Sequence, residues 1–176
     1  MLSRGVVPGA TALRSHQRTS PIIVNTPEVV MAALPNNGLL FIHGPKAPND
    51  DDVAKIIAHY HVMGERLAEA SMLIITDGGG PAARHRRDLE TQFGPVIKHM
   101  RASVVTDAGS IHFILAAMSF FIKNIKSFSL AEIDKACSFS GFSSTDNANA
   151  FAALQYIGTE IPAGRFRAFD TLLKRR

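Results

Sequence analysis

The chain has 176 residues, 46% of them apolar and 19% charged, which fits one soluble globular domain with enough length to bury a core. A single cysteine, Cys137, excludes an intrachain disulfide and suits a reducing, cytoplasmic setting. The net charge of +4 sits in the tails. Residues 21–160 carry 11 basic and 14 acidic side chains, so the basic groove that sequence-independent nucleic-acid binding needs is excluded there.

Residues 1–20 hold Arg4, Arg14 and Arg18 without an acid, and Gly5, Pro8 and Gly9 break any amphipathic helix. They read as a flexible basic leader. Residues 21–34 contain two β-prone runs, Pro35-Asn36-Asn37-Gly38 is a turn signal, and residues 39–43 form a second strand, predicting an antiparallel hairpin. Asn49 is a good N-cap and Asp50, Asp51 and Asp52 fall in the first helical turn. Val53, Ile56, Ile57, Tyr60, Met63 and Leu67 then recur at three- and four-residue steps, predicting an amphipathic helix to about Ala68. His59 and His61 are two apart, point to different faces, and cannot hold one metal together.

Residues 71–76 are apolar without alternation, as in a central parallel strand buried on both faces. The run ends in Thr76-Asp77, three glycines turn the chain, and Pro81 is predicted to open a helix that Gly94-Pro95 kinks or splits. The pattern recurs: a strand at 102–106 ends in Thr106-Asp107, and Ala108-Gly109-Ser110 leads into an apolar core helix. Its run at 113–122 is shorter than the roughly 20 residues that cross a bilayer. Residues 123–134 read as a connection with a helical turn at 130–133, and 136–142 alternate as a fifth strand with Cys137 buried and inert. Ser144-Thr145-Asp146 starts a last core helix ending near Gly158.

After Pro162, Phe166, Phe169, Leu172 and Leu173 line one side of a short basic helix. That helix is predicted either to rest on the domain as a terminus or to serve as an arm for a partner or membrane surface. The predicted organisation is a leader (1–20), one α/β domain (21–160) and a basic tail (161–176). The order is ββαβαβαβα, a mixed sheet of about five strands with crossover helices.

The hairpin before a long helix, the buried strand into Asp77-Gly78 and the run Ala83-Arg84-His85-Arg86-Arg87 carry a family resemblance. So does Asn149-Ala150-Phe151-Ala152-Ala153-Leu154 late in the chain. Over roughly residues 21–158 the chain resembles the bacterial STAS-like proteins of the SpoIIAA anti-anti-sigma fold, and more closely the SpoIIAA-like STAS-SEC14 group. The resemblance implies non-enzymatic signalling through protein–protein contact, often switched by a serine kinase at the start of the helix after the third strand. Here Asp77 is followed by Gly78-Gly79-Gly80 and no hydroxyl, so that phosphoswitch is not expected. Ser110, after the following strand, does not match the family's phosphoserine position.

Three readings of the strand edge follow. Asp77, Gly78, Gly79, Gly80, Arg84, Arg87, Asp107 and Ser110 are the candidate interaction or anion-binding residues, with glycine amides and the Arg84, Arg86 and Arg87 cations as the donors. The first reading is an interaction module binding a protein partner or itself. The second is a small-molecule, lipid or anion-binding domain at the same edge. In the third, Asp77 and Asp107 hold Mg²⁺ or act as acid and base, against the alternative that each carboxylate caps a helix or accepts loop amides. A Ser110/His112/Asp107 triad fails on geometry, since neighbours on one turn cannot aim at a common oxygen. Neither nucleotide fingerprint nor zinc spacing is present. No catalytic residue, metal or cofactor is predicted.

Overall fold

The computed structural model describes residues 21–34, 36–109, 122–142 and 144–175. The leader, Ser110 and the predicted helix that follows it lie outside them. The elements are β1 (Ile22–Asn25), β2 (Val29–Leu34), β3 (Gly38–His43), α1 (Asp50–Met63), β4 (Ser71–Thr76), α2 (Ala83–Ile97), β5 (Arg101–Val105), β6 (Asn124–Phe128), α3 (Ile133–Ser140), α4 (Ser144–Glu160) and α5 (Arg167–Lys174). The six strands form one mixed sheet in sequence order. The β1–β2 and β2–β3 pairings are antiparallel, and the three from β3 to β6 are parallel.

Each new parallel strand is added on the same side of the last, so right-handed crossovers put the connecting helices on one face. Accordingly, α1 and α2 share a core with Met31, Leu39, Phe41, Met72, Ile74 and Val104. The alternate residues Val30, Ala32, Leu40, Ile42, Leu73 and Ile75 face the other way, against α3, α4 and α5. Successive side chains of a strand point to opposite faces, and here both faces are covered. That is why β4 shows no polar alternation.

The sheet differs from the predicted one at two places. Residues 21–34 form two strands, because Thr26 closes a turn onto Val29 through its backbone amide and hydroxyl. The count is therefore six rather than five. Residues 136–142, predicted as the fifth strand, lie largely in α3, and β6 occupies 124–128 in what was predicted as a connection. The Cys-Ser-Phe-Ser alternation misleads because Ser140 is fully buried: its hydroxyl lies 2.7 Å from that of Ser103, which donates to the Ala136 carbonyl. With that serine satisfied in the core, Ile133, Ala136, Cys137 and Ser140 make one buried helical face. Cys137 is buried, as predicted, but on a helix.

The predicted helices within the described residues hold with shifted ends. Asn49 caps α1 in a reciprocal box with Asp52, and the helix stops at Gly64, whose φ of 55° leads into a 3-10 turn. α2 begins at Ala83 rather than Pro81 and is not split at Pro95, which falls in its last turn. Among the described residues no helix is long and apolar enough to cross a membrane.

The C-terminal helix is the larger correction. It lies on the domain, as one of the two predicted placements had it, but as part of the core: Phe166 and Phe169 are each 1% exposed and pack with Leu172 beneath the sheet. The apolar face that a partner or membrane surface would use is occupied by the domain itself. Replacing Phe169 by alanine is expected to lower unfolding free energy by about 4 kcal/mol, measured by urea denaturation. A loss under about 1 kcal/mol would return α5 to the status of a peripheral arm.

Candidate functional site

The two Thr-Asp sequences at the ends of β4 and β5 do matching work. Each threonine shapes its own loop: Thr76 donates to the Gly79 carbonyl and accepts from the Gly78 amide, and Thr106 accepts from the Ala108 amide. Each aspartate reaches the start of a helical segment on the far face. The Asp77 carboxylate accepts the amides of Arg167 at 2.9 Å and Ala168 at 2.6 Å, at the N-terminus of α5. Asp107 accepts the Leu130 amide at 2.9 Å, at the 3-10 turn leading into α3. Asp77 does not cap α2, the helix that follows it in sequence. A cleft of about 200 Å³ includes both carboxylates with Arg167 and Thr171, and both oxygens of Asp77 and one of Asp107 accept backbone amides. Among the described residues, no three His, Cys, Asp or Glu side chains are grouped to hold a metal ion.

The glycine loop makes a close backbone contact. A Cβ on Gly79 would collide with the backbone oxygens of Gly44 and Lys46, so only glycine lets the β4–α2 loop lie against the β3–α1 loop. Two of the three amides predicted as anion donors are engaged, Gly78 to Thr76 and Gly79 to the Gly44 carbonyl.

The predicted arginine cluster is dispersed. Arg84 pairs with Asp50 at 2.5 Å, Arg87 is exposed on α2, and Arg86 donates through Nη1 to the Pro81 carbonyl at 2.7 Å. Asp50 also lies 2.7 Å from Nε2 of His85, which is buried. Arg84 Nε stands 3.2 Å from the same nitrogen, and Nε2 cannot both donate to Asp50 and accept from Arg84. The shorter contact with a carboxylate decides for a proton on Nε2. That hydrogen bond, helped by the Arg84 charge, holds the Asp50 carboxyl below its ordinary value.

Beside these loops lies a feature the sequence reading did not anticipate. A cavity of about 70 Å³ separates the sheet from α1 and α2, lined by Phe41, Val53, Ile56, Ile74, Ile97 and Ile122, with His43, Tyr60 and Arg86 as its polar groups. His43 ends β3, is 4% exposed, and stacks parallel to Phe41 with ring centroids 6.0 Å apart. Its Nδ1 is buried without a partner. Burial pulls its pKa from 6.5 to about 4, so the ring is neutral at pH 7. Burial likewise pushes the Tyr60 hydroxyl upward. The available signal was a histidine closing an apolar strand, which by itself does not point to a cavity. Another depression, about 370 Å³, lies at the opposite ends of the strands beside the exposed Arg66 and Glu69.

Comparison with protein-family models, curated proteins and solved structures returns no match for this chain. Fold and site define a mixed α/β domain with an apolar cavity at its strand ends.

Two outcomes test this assignment of roles. Asp77→Ala should lower stability by about 2 kcal/mol, with Asp77→Asn recovering part because one acceptor oxygen remains; an alanine variant as stable as the parent would refute the cap. For His43, the unfolded chain takes up a proton near pH 6.5 that the folded chain refuses until about pH 4. Stability should therefore rise with pH across that window and fall by about 3 kcal/mol from this group on acidification. Denaturation at several pH values should show a flatter slope for His43→Phe than for the parent. Equal slopes would remove His43 as the cause.

Proposed function

We propose that the chain is a non-catalytic binding module of STAS-like topology that holds a compact, largely apolar molecule in the cavity between the sheet and α1–α2. The hairpin, the successive parallel strands and the Asp77-Gly78 turn support the topology. One observation carries the function: the cavity is walled by aliphatic and aromatic side chains, yet a buried histidine on its wall keeps a nitrogen without a protein partner. An apolar chamber with a few placed polar groups is the usual form of a small-molecule site.

The other readings have less support. Asp77 gives both carboxylate oxygens, and Asp107 one, to helix amides, which disfavours an acid–base or Mg²⁺ mechanism at this edge. For a docking module, large exposed apolar side chains among the described residues reduce to Val62. The sheet edges are also poor templates for a further strand: β1 is short and irregular in register, and β6 carries an exposed Lys126.

Titration with isobutanol, followed by methyl NMR, tests the binding reading. Resonances of Val53, Ile74, Ile97 and Ile122 should shift together and saturate, while exposed Val62 stays in place. Unmoved cavity methyls, or equal movement at Val62, would reject it.

A further inference from the structure

We infer that the molecule this cavity takes carries one carboxylate, held between Arg86 and His43 at the strand ends, with a small branched apolar body directed toward the middle of the sheet. The inference rests on the binding reading above and adds the chemical class of the ligand.

Strand register gives the cavity its polarity. His43 lies opposite Thr76 at the ends of β3 and β4, Phe41 opposite Ile74, and Leu39 opposite Met72 further in. Going inward from the strand ends, the lining changes from His43 to Phe41 and Ile74, then to Met72. Arg86, one turn into α2, joins His43 in that lining. A ligand polar at one end and apolar at the other matches this gradient.

Charge selects the head group. Arg84 and Lys135 each have a carboxylate partner, whereas half-buried Arg86 has none among the described residues. Its Nη1 bond to Pro81 anchors the guanidinium to the β4–α2 loop and leaves other N–H groups to donate. A cation against an apolar wall gains from an anion that offsets its lost hydration. The neutral His43 imidazole can supply one further hydrogen bond through Nδ1. One guanidinium and one imidazole match the two oxygens of a carboxylate, whereas a phosphate would leave oxygens unbonded. At about 70 Å³ the chamber is roughly half the size of an engineered cavity that admits benzene, so the body is a few carbons.

Isobutyrate and its neutral isostere isobutyramide separate the two claims. Each is titrated at pH 7 into the full chain, Arg86→Met and Arg86→Gln, with thermal melts confirming that each variant is folded and cavity methyls reporting occupancy. The parent should bind isobutyrate about tenfold or more tightly than isobutyramide. Either folded arginine variant should lose that preference. Equal binding of the two probes by the parent, with cavity methyls shifting, would overturn the carboxylate assignment and leave the cavity reading standing. A preference that survives in both variants would overturn the role of Arg86. Failure of both probes to move the cavity methyls would remove the cavity reading as well.

Discussion

The Asp77 carboxylate joins the end of β4 to the first two amides of α5, across 90 residues of chain. Helix N-termini leave donors that need an acceptor, and Phe166 supplies no capping side chain of its own. The contact therefore satisfies the helix and fixes its direction at once. With α5 so placed, Phe166 and Phe169 enter the core beneath the sheet, and α4 finds a neighbour to pack against. Asp107 repeats the arrangement one strand along, at the turn leading into α3. The layer beneath the sheet is thus pinned to it by two carboxylates at the edge where the parallel strands end.

The opposite layer is organised by crossover geometry and by one close approach of backbones. Gly79 brings the β4–α2 loop onto the β3–α1 loop, and its amide bonds to the Gly44 carbonyl. This seam draws the first turn of α2 toward the end of β3, so that Arg86 and His43 line one space although 43 positions separate them. The loop glycines thereby place a cation and a neutral imidazole on the wall of an apolar chamber.

Much of the fold was legible because its local signals agree. The Asn49 cap with three following acids, the helical spacing from Val53 to Met63 and the unalternated run of β4 each favour one structure. Where local signals conflict, the sequence misled. Ser138, Phe139 and Ser140 alternate like a strand, and only burial of Ser140 against Ser103 makes a helix the better solution. A local clue did stand nearby, since Ser129-Leu-Ala-Glu132 forms a capping box ahead of α3. For the site, the strand edge and Asp77 were legible as positions, but the arginines read as one patch diverge to Asp50, to the cavity and to solvent. Arg86, two positions from Arg84 and one from Arg87, faces a different way from both, and what each meets is set by neighbours distant in sequence.

The sequence by itself determined the class of fold, the two Thr-Asp turns and the amphipathic faces, because those follow from periodicity, capping and turn chemistry within a few residues. Only the tertiary structure decided which helix each aspartate caps, that the basic C-terminal helix is core rather than arm, and that His43 and Arg86 share a cavity. Those outcomes depend on contacts across dozens of residues. Such contacts form only once the parallel strands are in register, and nothing in the local pattern encodes which distant donor a carboxylate will meet.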